Sequence, residues 1–139
     1  MHLSIPSITT KISSNFLHKK EVDIFIKRDD LIHPIISGNK WRKLKYNFKQ
    51  AKESGYDTLL SFGGGYSNHL HALSYAASNH GFSSIGVIRG KEIYKNPTLS
   101  FCLQQNMRLE FIDRLSYRCD KYSPTRIDQL TQKFGKFER

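Results

Sequence analysis

A lysine, a serine, an asparagine and a histidine lie in two short segments that together have the equipment for carbonyl and acid–base chemistry. The first segment is Ser37-Gly38-Asn39-Lys40-Trp41-Arg42-Lys43-Leu44-Lys45-Tyr46 and the second is Phe62-Gly63-Gly64-Gly65-Tyr66-Ser67-Asn68-His69. Each joins a glycine-bearing turn to a helix start, where free backbone N–H groups point outward. An amine, an amide, a hydroxyl and an imidazole are thereby offered beside two natural anion sites.

Lys40 feels the positive end of its helix and the like charges of Arg42, Lys43 and Lys45, all of which disfavour a charged amine. A neutral lysine is a nucleophile able to form an imine with an aldehyde such as that of pyridoxal phosphate, and to move protons at a substrate's alpha carbon. Lys43, one turn on, is placed to meet a phosphate. In the second segment the glycines let a ligand approach the backbone closely. Asn68 suits a ring oxygen, Ser67 a substrate, and His69 supplies a donor or base near neutral pH. Bland alternatives stand beside each role: a lysine on a basic helix is commonly a solvated charge, Ser67 would serve simply as a helix cap, and the glycines as a tight turn. The segment lacks the Gly-Lys-Ser/Thr ending of a P-loop and the spacing of a dinucleotide fingerprint.

The elements that must position these groups are legible in the hydrophobic pattern. Residues 22–27 alternate, with Val22, Ile24 and Ile26 on one side of a half-buried strand. Asn39 is expected to cap a helix with an apolar stripe of Trp41, Leu44, Phe48 and Ala51, ending before Gly55. A strand over 58–62 is closed by the glycines, and a helix with Leu70, Leu73, Ala76 and Ala77 inward follows. Further elements are a strand over 84–88, a helix over 97–107, a strand over 109–112 and a helix over 125–134. The order argues for an α/β fold, a parallel sheet with flanking helices, with ligands gathering outside the carboxyl ends of the strands. After Asp113 the chain becomes polar and basic, and it reaches Phe137-Glu138-Arg139 with no further strand expected.

Composition bounds the function classes. The 139 residues are 38% hydrophobic and 12% aromatic, enough for one folded core. No apolar run suits a membrane span or a signal peptide, which makes a cytoplasmic location and no membrane partner the expectation. Cys102 and Cys119 are read as ordinary thiols, and no metal site is expected. The net charge is +10, and six cations fall between Lys40 and Lys52 without an acid among them. Such a cluster would meet nucleic acid, a phosphorylated cofactor or only water. A nucleic-acid module is the alternative reading, weakened by the lack of any recognisable binding motif. Asp29 and Asp30, beside Lys27 and Arg28, are expected to form a turn with ion pairs.

Three strings in order, Lys27-Arg28-Asp29-Asp30-Leu31, Gly38-Asn39-Lys40-Trp41-Arg42-Lys43-Leu44 and Gly63-Gly64-Gly65-Tyr66-Ser67-Asn68-His69, resemble the 1-aminocyclopropane-1-carboxylate deaminase and D-cysteine desulfhydrase family, over nearly the whole chain. The resemblance implies fold type II pyridoxal-phosphate chemistry on a tryptophan-synthase-beta-like fold. It implies a Schiff base at Lys40, catalytic roles for Lys40 and Ser67, and cofactor contacts from Lys40, Lys43 and Asn68. Ser67, Asn68 and His69 would face a small amino-acid substrate. Residues 1–38 would belong to the larger domain of full-length members, 39–113 would form the small domain, and 114–139 would lead as a basic, partly helical tail towards a C-terminal half. Gly65, Tyr66 and His69 stand where better-known members carry Ile, Gln and Gln, which leans away from the cyclopropane substrate and towards a desulfhydrase-like or unassigned amino-acid lyase. Members of the family are more than twice as long, so a truncated form, inactive alone, is expected, with a homodimer or a complementary C-terminal polypeptide as partner. A non-catalytic remnant is the further alternative.

Overall fold

The computed structural model describes residues 2–91 and 96–139. Three parallel strands form its centre: β3 (Thr58–Gly64), β4 (Ser83–Arg89) and β5 (Arg108–Ile112), hydrogen-bonded in the order β3-β4-β5. An antiparallel ribbon of β1 (Thr9–Ile12) and β2 (Ile24–Lys27) makes a separate sheet, with α1 (Asn15–Lys19) between its strands. The remaining helices are α2 (Lys40–Glu53), α3 (Asn68–His80), α4 (Pro97–Gln104), α5 (Arg114–Cys119) and α6 (Pro124–Phe134).

Alternation along the central strands decides what covers each face of the sheet. Leu59, Ile88, Leu109 and Phe111 point to one side, where Leu44, Phe48 and Ala51 of α2, Leu70, Leu73, Ala76 and Ala77 of α3, and Leu99 and Cys102 of α4 complete a core. Leu60, Ile85, Val87 and Ile112 point to the other, against Leu130 with Ile127 and Phe134 of α6. Residues 114–139 thus supply the second helical layer that a parallel sheet requires. Gly86 lets the two layers close: a Cβ there would lie 2.9 Å from Met107 Sδ.

Local signals explain the helix starts. Ser67, Asn96, Asp113 and Ser123 each cap a helix by accepting from backbone N–H groups, and Pro97 and Pro124 occupy first-turn positions that need no N–H. Gly81 closes α3 in the left-handed conformation at φ 74°.

Several expectations are corrected. Asn39 stands at the N-cap of α2, but its side chain makes no capping bond; its Oδ1 instead accepts from Lys40 Nζ at 2.8 Å. Gly63 and Gly64 belong to β3 rather than to the turn after it. The terminal segment does meet the sheet, for Leu60 N–H donates to Glu138 O at 2.8 Å and Glu138 N–H to Thr58 O at 2.9 Å, extending the free edge of β3. The strand at 24–27 is exposed along its whole length, not half-buried. Its apolar side chains, with Phe25 59% and Ile26 45% exposed, have no covering layer among the described residues. Pairing with β1 satisfies one edge of its backbone and leaves these apolar side chains exposed.

Candidate active site

Two helix N-termini open on one cavity. Lys40 is the first residue of α2 and Asn68 the first of α3, and both line a cavity of about 340 Å³ together with Pro34, Ile35, Ser37, Gly38, Asn39 and His71. The unpaired N–H groups and partial positive charge of both helices therefore sit beside an amine and an amide. That donor set suits an anionic ligand bearing an aldehyde and a ring oxygen.

The loop carrying Lys40 is held from behind. Arg42 donates through both Nε and Nη2 to the carboxylate of Asp29, with the Nη2 bond to Oδ1 at 2.7 Å. Ser7 Oγ donates to the same carboxylate at 2.6 Å, and Gly38 N–H donates to Asp29 O at 2.9 Å. The Arg42 guanidinium and then the Ser7 hydroxyl hold the Asp29 carboxyl far below the usual carboxylate range. Arg28 pairs with Asp30 at 2.7 Å, so both acids act as the turn-forming ion pairs expected of them. His33 Nδ1 accepts from Ile35 and Ile36 N–H at 3.0 and 3.2 Å, fixing the approach to Ser37.

The second motif divides its labour. Gly63 serves packing, since a Cβ on it would lie 2.6 Å from Leu70 Cδ1 and 2.8 Å from Ser67 Cβ. Ser67 Oγ accepts from Leu70 N–H at 3.3 Å, which gives it the capping role that stood as the bland alternative, and it does not line the Lys40 cavity. His69 is half-buried, within 3.0 Å of Ser61 Oγ. Burial, and then the charges of Lys40 and Lys43, push its imidazole below the ordinary value. The two lysines therefore act electrostatically on one ring, although Lys43 is itself exposed and outside the cavity.

Among the sequence candidates, Lys40 and Asn68 share the cavity, while His69 and Lys43 stand beside it in electrostatic reach of Lys40 or His69. His71 was missed. It lines the cavity and stacks on Phe101 at 4.0 Å between centroids. Its position three residues after Asn68, on the same helical face, was the available signal.

A pH experiment follows from His69. Because its folded-state value is lowered, neutral His69 contributes stability that is complete above the ordinary value of 6.5 and is lost as pH falls below it. In an NMR titration the His69 ring should change charge below the ordinary imidazole range, and Lys43→Gln should move its midpoint upward. A midpoint unmoved by Lys43→Gln would contradict the electrostatic convergence.

No family model matches the chain. Over 129 residues it is 33% identical to a protein of Pyrococcus horikoshii provisionally named 1-aminocyclopropane-1-carboxylate deaminase, a match covering 91% of this chain and 36% of that protein. A crystal structure of an ACC deaminase homologue superposes with a TM-score of 0.73 at 29% identity, covering 96% of this chain and 41% of the other. The structure of O-ureido-L-serine synthase superposes with a TM-score of 0.66 at 16% identity, a likeness of fold, covering 94% of this chain and 40% of that one. The chain thus spans about a third of the length of the curated relative, and its parallel α/β architecture is that of part of a fold type II pyridoxal-phosphate enzyme.

Proposed function

Because the chain belongs to the 1-aminocyclopropane-1-carboxylate deaminase family, as a homologue of part of its longer members, we propose that it carries the Lys40 half of a pyridoxal-phosphate site acting on a small amino acid. The observation that carries the reading is the shared cavity of Lys40 and Asn68 at two helix N-termini. Its donors fit the cofactor's aldehyde and ring oxygen, while a phosphate finds positive charge from Lys43 and the helix ends.

Pyridoxal phosphate, when bound, supplies an electron sink for negative charge at a substrate's alpha carbon. Lys40 would hold the cofactor aldehyde and afterwards take or return a proton at that carbon. Its bond to Asn39 Oδ1 keeps the amine at the mouth of α2, and the Asp29–Arg42 clamp keeps the helix start in place. Asn68 would donate its amide to the ring oxygen. Ser67, by capping α3, aims the first N–H groups of that helix, and Asn68 would meet the substrate carboxylate with His69. A neutral His69 beside Ser61 suits a hydrogen-bonding role there. His69 in place of Gln, with Gly65 and Tyr66 in the preceding turn, favours a desulfhydrase-like lyase over ring opening of the cyclopropane.

A polypeptide of these 139 residues alone is proposed to turn over little substrate. Support comes from the uncovered ribbon of Ile24, Phe25 and Ile26, which exposes apolar surface of the kind that a further domain or partner chain buries. The test of the site is borohydride reduction after adding pyridoxal phosphate at limiting concentration, followed by peptide mapping. Label concentrated at Lys40, and lost from that peptide alone in Lys40→Ala, is the expected result. Label spread evenly over Lys40, Lys43, Lys45 and Lys49 would mean surface amines are reacting, and the proposal would fail.

A further inference from the structure

On the opposite face of the sheet from α2, four cations meet around one tyrosine. Arg89 ends β4, Arg114 and Arg118 lie on α5, and Lys121 follows it; with Tyr117 they line a cleft of about 490 Å³. Among the described residues no acid lines it. The nearby acids on the same segment are engaged elsewhere. Asp113 accepts from the N–H groups of Leu115 and Ser116, both at 2.9 Å, and Asp120 pairs with Arg126 at 3.2 Å.

Like charges gathered with no acid among the described lining residues repel, and an anion placed among them relieves that repulsion. Aromatic faces hold two of these cations in position. Lys121 Nζ lies 4.6 Å from the Tyr117 centroid and 4.9 Å from that of Tyr122, and the Arg89 guanidinium lies 5.9 Å from Tyr117. Arg89 also reaches towards Gly64, where a Cβ would stand 3.9 Å from its Nη2. The cleft is therefore at the carboxyl ends of the strands, where parallel sheets gather ligands. It shares no lining residue with the Lys40 cavity.

We propose that this cleft is a second binding site, for a small phosphate-dense anion of the class of inorganic diphosphate and nucleotide phosphates. Three guanidinium forks match phosphate oxygens bidentately, and four cations exceed what a single carboxylate needs. An extended polyanion is disfavoured by the layout of charge. The cations of Lys40 to Lys52 lie on α2, which packs on the other face of the sheet, so the two basic groups do not form one continuous track.

The test is calorimetric titration of the full 139-residue chain at low ionic strength with inorganic diphosphate, ATP and a short single-stranded oligonucleotide. It uses the parent, Arg114→Gln/Arg118→Gln, Arg114→Lys/Arg118→Lys and Lys49→Gln/Lys52→Gln, with thermal melts confirming that all fold. Saturable diphosphate binding is expected, weakened about tenfold or more in the glutamine pair, the size of one lost charge-assisted hydrogen bond. The lysine pair should fall between, and the α2 pair should match the parent. Equal affinity for diphosphate and ATP would assign recognition to the phosphates, and tighter ATP to a nucleotide; both support the site. Absence of saturable binding, equal weakening in the α2 pair, or an oligonucleotide that binds tighter than diphosphate and loses affinity in both pairs would overturn it.

Discussion

Lys40→Ala is expected to lower turnover of amino acid to keto acid and ammonia by about a thousandfold or more when this chain acts with a polypeptide equivalent to the rest of its longer relatives. The size follows from the roles proposed for Lys40, a positioned acid–base group and the amine that would anchor the cofactor. The amine stands at the first turn of α2, one residue from its Asn39 partner, and among the described residues no other lysine lines the cavity. Lys43 is exposed one turn further on and does not line the cavity. The measurement is keto-acid release from D-cysteine or aminocyclopropane carboxylate by the mixed polypeptides, with Lys40→Ala and Lys43→Gln as variants. Lys43→Gln should retain more activity than Lys40→Ala, because removing a charge partner weakens binding without removing the reacting group. Comparable loss in both, or turnover persisting in Lys40→Ala, would remove Lys40 from its role.

Gly63→Ala is expected to destabilise the chain by about 1–3 kcal/mol, the usual cost of forcing an extra methyl group into a packed interior. The new carbon would lie 2.6 Å from Leu70 Cδ1 and 2.8 Å from both Leu70 Cγ and Ser67 Cβ. Leu70 is fully buried and has no room to withdraw, so the start of α3 must shift. The same shift would move Ser67 and Asn68, coupling a packing defect to the binding site. Gly64→Ala is the matched control, because its Cβ would meet nothing nearer than 3.9 Å. Urea unfolding should show a lower midpoint at unchanged slope for Gly63→Ala and a much smaller change for Gly64→Ala. Equal midpoints would mean that the close approach of strand and helix is not what requires a glycine at position 63.

The sequence by itself determined the parallel α/β frame and the two helix starts that matter. Apolar stripes in α2 and α3, short apolar runs for β3 to β5, and the cap residue Ser67 are local signals, and local signals survive reading along a chain. The motif strings determined the family as well, since Lys40 and Asn68 carry meaning through their neighbours in order. Tertiary structure alone decided the rest. Whether Ser67 caps or faces a ligand depends on where its hydroxyl turns, and whether Gly63 serves a ligand or Leu70 depends on a contact across a layer. Residues 22–27 read as a half-buried strand because alternation reports amphipathicity; it does not report whether anything covers the apolar side. Arg89 and Tyr117, 28 residues apart in the numbering, share one cleft only because β5 and α5 bring them together. Such groupings arise from crossovers between strands, and no local pattern encodes which side chains a crossover will bring together.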